Sequence, residues 1–198
     1  MDIYLVRHGQ TEWDEERRMQ GRKNSDLTAM GREDSKYLAK ELSHTEFSQI
    51  YSSPLERAME TARYIMVGRT QEIIPFEAFK EMNFGEWEGM VDREVKSRYP
   101  EDHFDFMNRP NLFKPLGGES FEELRERVEK GLDDLIATAV GDRILVVTHT
   151  FVIKTILSIV HDYPQQVCRR RNGACSFFIR KLNSTLRFVQ KVLSLYLV

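Results

Sequence analysis

Short apolar runs alternate along this chain with longer stretches in which apolar residues recur at helical spacing. Residues 3–6 (Ile3-Tyr4-Leu5-Val6) and 144–147 (Ile144-Leu145-Val146-Val147) are unbroken runs of strand-forming residues. Such runs predict strands covered on both faces. Ile50 and Tyr51 predict another strand, and Ile73 and Ile74 a short one ended by Pro75. Segments near 175–180 and 186–193 predict two closing strands. A helix is expected from about Thr28, with Leu38 and Leu42 on one face. A second should start at Ser53, read as N-cap, with Pro54 at the first helical position and Glu56 completing a capping box. Its inward face would be Ala58, Ala62 and Ile65. A long helix is expected from Ser120, capped with Glu123. Its stripe is Leu124, Val128, Leu132, Leu135 and Ala139, and Gly141 is the stop. A last helix is expected over 151–160. Residues 10–27 read as loop. Residues 79–118 are the least regular part, aromatic-rich and broken by Pro100, Pro110, Pro115 and Gly117-Gly118. Alternating strands and helices predict an α/β fold with helices on both faces of a largely parallel sheet.

Nothing in the 198 residues marks a repeat, a low-complexity stretch or a linker, so a single domain over 1–198 is expected. Composition narrows the function classes. Hydrophobic residues are 41% and charged residues 30%, the balance of a soluble globular protein. A net charge of −2 and a pI near 6.2 give no footprint for nucleic acid. The dense basic run Arg169, Arg170 and Arg171 reads as a solvated turn. Cys168 and Cys175 fit neither a disulfide framework nor a zinc pattern and read as free thiols in a reducing compartment. The opening apolar run, interrupted by Arg7, is too short for a signal peptide. The apolar tail 192–198 falls short of the roughly 18 residues of a spanning helix. A cytoplasmic protein without membrane contact is expected, and nothing indicates an oligomeric state.

Candidate chemistry gathers at two strand ends. Arg7-His8-Gly9 follows the first strand, and His149 follows the 144–147 strand. Ligands of open α/β sheets bind outside the carboxyl ends of strands. Two histidines at that edge with an arginine beside one of them point to an anion site. Arg57, in the first turn of its helix, falls where unpaired N–H groups and the helix dipole also favour anions.

Taken together the motifs are specific. Leu5-Val6-Arg7-His8-Gly9-Gln10-Thr11 comes first, then Gln20-Gly21, Leu27-Thr28 with Gly31, and Ser52-Ser53-Pro54-Leu55 with Arg57-Ala58 and Thr61-Ala62. Glu81 precedes Phe84-Gly85 and Trp87-Glu88-Gly89, followed by Gly118-Glu119-Ser120 and Val146-Val147-Thr148-His149. This series resembles the histidine phosphatase superfamily, most closely the small broad-specificity phosphatases of its phosphoglycerate mutase-like branch. The resemblance covers residues 3 to about 157. It implies a three-layer α/β/α sandwich and hydrolysis of small phosphomonoesters, with no metal or other cofactor. It implies that His8 is the nucleophile that becomes phosphohistidine and that Arg7, Arg57 and His149 are the cationic walls of the phosphate pocket. Gln20, with Gly21, would bind substrate as a neutral donor, and Glu81 would give a proton to the leaving group.

Elementary chemistry fits those roles. Phosphoryl transfer needs positioning and electrostatic stabilisation of three equatorial oxygens. Two guanidiniums can fork onto them and replace a divalent cation. The same cations should hold His8 neutral, as a nucleophile must be. They should also keep Glu81 ionised until a substrate dianion raises its pKa. Two positions depart from the family pattern. Asp14 stands where asparagine is frequent, and is expected to turn away from phosphate or weaken its binding. Thr150 stands where glycine is usual; its backbone N–H remains a substrate-binding donor while its side chain crowds the pocket. Phe84, Trp87, Phe104, Phe106 and Phe113 either cover the core or line a substrate entrance beside Glu81, with Phe84 and Trp87 the better candidates for lining. Residues 79–118 are accordingly read as a substrate-facing segment.

Three other functions fit parts of the pattern. A phosphoglycerate mutase would need more basic residues after Glu81, yet none occurs before Arg93. A non-catalytic phosphate sensor would not need to keep both His8 and Glu81. A metallohydrolase with His8, His149 and Glu81 as ligands would place a dication beside two guanidiniums, which is unfavourable.

Overall fold

A computed structural model describes residues 1–161, 176–182 and 185–188. Strands β1 (Asp2–Arg7), β2 (Gln49–Ser52), β3 (Ile73–Pro75) and β4 (Arg143–Thr148) run parallel. Two antiparallel strands, β5 (Ser176–Leu182) and β6 (Thr185–Phe188), complete a sheet of order β3-β2-β4-β1-β5-β6. Helices α1 (Glu12–Glu15), α2 (Ala29–Glu41), α3 (Glu56–Ile65), α4 (Asp92–Arg98), α5 (Pro100–Asn108), α6 (Phe121–Thr138) and α7 (Thr150–His161) connect them.

The side-chain period of two explains the layers. In β1, Ile3 and Leu5 join Ile144 and Val146 of β4 in a core with Leu124, Val128, Leu132 and Leu135 of α6 and Val152 and Ile156 of α7. Val6, Leu145 and Val147 face the other way, into a second core with Leu38 of α2 and Ala58, Ala62 and Ile65 of α3. The sheet is therefore covered on both sides, the three-layer α/β/α sandwich. Each fully buried Leu, Ile or Val contributes roughly 1.5–3 kcal/mol relative to exposure.

Local signals held in most places. Thr28 caps α2 by accepting from Gly31 N, and Ser120 with Glu123 forms the expected reciprocal box at α6. Four readings need correction. Ser53 is not an N-cap: α3 begins at Glu56 after Leu55, and the Ser53 hydroxyl accepts from Leu55 N while also meeting His149. Helix α6 ends at Thr138, with Ala139 as an extended C-cap, and Gly141 belongs to the turn before β4. Residues 10–27 contain the one-turn α1, capped by Thr11 and Asp14. The supposedly irregular 79–118 holds two helices. Pro100 opens α5 at its first turn, where a missing N–H costs nothing, instead of breaking a helix. Helix α4 buries only Val95, so it shows no apolar stripe; it is held by acidic residues in its first turn and basic ones in its last.

Among the described residues no helix is long and apolar enough to cross a membrane. The readings made for Cys168, Cys175, the 169–171 run, the tail 192–198 and the 189–193 part of the last strand lie outside the described residues.

Candidate active site

Strand register delivers the site. Arg7 pairs with Thr148 across β1 and β4, and Ser52 pairs with Val147 across β2 and β4. Pairing continues one step past the strand ends, with His8 N donating to Thr148 O at 3.0 Å and Ser53 N to Val147 O at 2.8 Å. His8, Ser53 and His149 are thus presented side by side at the carboxyl edge of three adjacent strands. The two imidazole centroids lie 5.1 Å apart, about the width of a phosphate group.

The hydrogen bonds fix the state of the His8 ring. His8 Nδ1 lies 2.8 Å from the Gly9 carbonyl, which can only accept, so Nδ1 carries the hydrogen and Nε2 the lone pair. Arg57 Nε donates to that Nε2 at 3.3 Å. Ser53 Oγ accepts from Leu55 N at 3.3 Å and meets His149 Nε2 at 2.7 Å. A serine hydroxyl can either donate to that nitrogen or accept from it, so this contact is compatible with both neutral tautomers of His149. Among the described residues, the buried side-chain nitrogens without any partner are Arg7 Nε and His149 Nδ1. Both belong to this cluster, and an unpaired buried donor is costly unless an anion meets it.

Electrostatics favour the neutral form of both imidazoles. Burial first, then the Arg57 and Arg7 charges, hold His8 well below its usual pKa, with Asp14 and the Gly9 bond opposing. Burial and Arg57 likewise depress His149. Arg57 is lowered to about 10, chiefly by burial, and stays charged at neutral pH.

Arg57 is deployed differently from the expected fork. Nη1 donates to Lys23 O at 2.7 Å and Asn24 Oδ1 at 2.9 Å, and Nη2 to Gly21 O at 2.6 Å. Most of its five N–H groups therefore anchor the 21–24 loop, while Nε faces His8. Gly21 has φ +54°, and a Cβ there would lie 2.1 Å from Glu88 Oε1, so the loop approaches closely only as glycine. Gln20 donates to Thr11 Oγ1 at 2.6 Å. Thr150 opens α7 half-buried.

Asp14 is turned onto Arg7 and Thr11. Its Oδ1 accepts from Arg7 Nη2 at 2.7 Å, and its Oδ2 accepts from Thr11 N at 3.0 Å and Thr11 Oγ1 at 3.1 Å. Burial would raise its pKa, but Arg7, His8 and the Thr11 bonds outweigh this and lower it.

Glu81 corrects a second expectation. Its carboxylate accepts from Met82 N at 2.9 Å and from Phe151 N, in the first turn of α7, at 3.3 Å. Burial nevertheless exceeds these bonds and the pull of Arg57 and Arg7, and the pKa is raised without any substrate. Desolvation wins because Glu81 is only 6% exposed.

The aromatic residues divide. Phe84, Trp87 and Phe113 are buried in the core, against the expectation that Phe84 and Trp87 would line an entrance. Phe104 is exposed, stacked by Arg109. Phe106, Phe121 and Phe151 are half-buried. Phe106 lies 5.7 Å from Phe151 and 5.6 Å from Phe121, and Phe151 carries the N–H that meets Glu81. Sequence reading missed the Ser53 and Asn24 contacts because each depends on a partner remote in sequence. The Asp14 contacts to Arg7 and Thr11 are local and went unread because residues 10–27 carry no apolar period.

Residues 3–184 match the model of the histidine phosphatase superfamily (branch 1). The chain belongs to that superfamily. It is 36% identical over 148 residues to phosphoserine phosphatase 1 of Hydrogenobacter thermophilus, covering 75% of this chain and 70% of that protein. It is 33% identical over 181 residues to phosphoglycerate mutase-like protein 4 of Arabidopsis thaliana, covering 89% and 78%. Among solved structures, Bacillus stearothermophilus YhfR superposes with a TM-score of 0.90 at 33% identity, covering 94% of each chain. The superfamily and these relatives make the chain a phosphatase, a phosphoric monoester hydrolase. Among the described residues no three His, Cys, Asp or Glu side chains are grouped to hold a metal ion.

Proposed function

We propose that the protein hydrolyses small phosphomonoesters through a phosphohistidine on His8, without a metal ion. One observation carries this reading: the lone pair of His8 Nε2 is turned toward Arg57 Nε, within a group that also holds the two unpartnered buried nitrogens. In the first step Nε2 bonds to phosphorus, the ester P–O bond breaks, and Glu81 gives its proton to the leaving oxygen. Positive charge develops on the ring, and the Gly9 carbonyl at Nδ1 stabilises it. Arg57 Nε–H, released from Nε2, passes to a phosphoryl oxygen. Arg7 and His149 Nδ1–H hold the other oxygens. In the second step the Glu81 carboxylate takes a proton from water, whose oxygen attacks phosphorus as the P–N bond breaks, and phosphate leaves. Transfer to water instead of a second substrate hydroxyl is favoured because no lysine or arginine lies in 82–92 to grip a substrate carboxylate. The relative named phosphoserine phosphatase makes phosphoserine the first ester to try. The test is a rapid-quench search for an acid-labile phosphoenzyme in chelator, on wild type and His8→Ala.

Asp14 occupies Arg7 as a built-in anion, so it competes with the phosphoryl group. Asp14→Asn should lower KM and the inhibition constant of inorganic phosphate by about three- to tenfold, the scale of one partly exposed ion pair. Unchanged or weaker phosphate inhibition would show that Asp14 does not compete.

The half-buried Phe106, Phe121 and Phe151 offer apolar contact to a leaving group beside Glu81. Aromatic phosphoesters should have lower KM than sugar phosphates, and Phe106→Ala should narrow the difference by roughly tenfold. A flat KM across such a panel would remove this surface from the site.

A further inference from the structure

The acid loop is held by groups that never reach the substrate. Three consecutive carbonyls precede Glu81, and side chains from elsewhere take all of them. Arg127 Nη1 donates to Ala78 O at 2.5 Å and Lys80 O at 3.0 Å, and Thr148 Oγ1 donates to Phe79 O at 2.7 Å. Beyond Glu81, both backbone groups of Asn83 are engaged by one residue. Glu119 Oε2 accepts from Asn83 N at 3.2 Å, and Glu119 N donates to Asn83 O at 2.8 Å. Arg127 Nε and Nη2 close the arrangement on Glu119 Oε1 and Oε2 at 2.7 and 2.8 Å. A single guanidinium–carboxylate pair thus grips the chain on both sides of Glu81.

We propose that Arg127 and Glu119 are positioning residues for the Glu81 carboxyl, which fix its distance and angle to the leaving oxygen. The inference rests on the acid role given to Glu81 above. Helix α6 brings the clamp within reach because residue 131, one turn on from Arg127, is glycine. A Cβ there would meet Ala78 Cβ at 2.4 Å, so only glycine lets α6 lie this close to the loop. Lysine cannot replace Arg127, since one ammonium cannot span a carboxylate and two carbonyls in a plane. Neither residue hydrogen-bonds His8, His149 or Arg57; the Arg127 charge acts on His149 only through space, and Arg127→Lys retains that charge.

A misplaced acid harms esters that need protonation and spares those that do not. The experiment compares glycerol 1-phosphate with 4-nitrophenyl phosphate for Arg127→Lys and Glu119→Gln, alone and combined with Glu81→Gln. Arg127→Lys should lower kcat for the glycerol ester about ten- to hundredfold. The nitrophenyl ester should lose no more than about threefold, KM should change little, and the alkaline limb of the pH profile should move. In the Glu81→Gln background the clamp variants should have no further effect on the glycerol ester. Glu119→Gln, which keeps the shape of the pair, should show the same pattern more weakly and serves if Arg127→Lys does not fold. If both clamp variants slow the two esters equally while Glu81→Gln is selective, the clamp is merely structural and the inference is overturned. If Glu81→Gln itself is unselective, the acid assignment falls first, and the inference with it.

Discussion

Replacing His8 by alanine is expected to abolish turnover of every phosphoester, lowering kcat by about five orders of magnitude or more. No other group can take over. His149 lies beside it, but its Nε2 is engaged by Ser53. The variant should still bind phosphate, because Arg7, Arg57 and His149 remain. Phosphate affinity within about tenfold of wild type would separate loss of chemistry from loss of the pocket. Rapid quench of the wild type should trap a phosphoryl group labile to acid and stable to base, in the presence of chelator, and His8→Ala should trap none. Measurable turnover by the variant, or a phosphoenzyme that persists in it, would falsify the mechanism.

Glu81→Gln is expected to slow alkyl phosphates by about 10²- to 10⁴-fold and nitrophenyl phosphate far less, the usual worth of general acid catalysis. A nitrophenolate leaves without a proton, whereas an alkoxide does not. The pH profile of kcat/KM gives an independent check with a defined sign. His8 must be neutral, and its pKa is depressed, so activity rises with pH along a limb placed below the ordinary histidine range. Glu81 must be protonated, and its pKa is raised, so activity falls along a limb placed above the ordinary carboxylate range. In Glu81→Gln the alkaline limb should vanish for alkyl esters. Equal losses on both ester types, with that limb intact, would take the acid role away from Glu81.

Which of these features the chain announces by itself depends on how local their causes are. The strands at 3–6 and 144–147, the cap at Ser120 and the stripe Leu124 to Leu135 arise from neighbouring residues and a fixed period, and they appear where the pattern puts them. His8, Arg57, Glu81 and His149 were visible because short motifs mark them. Ser53 misled for the same reason. Its Ser-Pro-x-Glu setting is a good local cap, but the helix starts only at Glu56 and the hydroxyl meets His149, ninety-six positions away. Helices α4 and α5 carry no apolar period, because α4 fully buries only Val95 and α5 fully buries no residue and packs on the core through the single half-buried Phe106.

Sequence alone determined the layered α/β architecture and the edge of the sheet at which the histidines emerge, and it named the residue types of the proposed anion pocket. Only the folded chain decided what each group does there: which nitrogen of His8 is bare, that Arg57 is largely tied to its own loop, that Asp14 sits on Arg7, and that burial lifts Glu81 in spite of nearby cations. The reason is that periodicity and caps are properties of adjacent residues. Proton placement and charge are set by desolvation and by partners that only the packing of distant segments brings within about 3 Å.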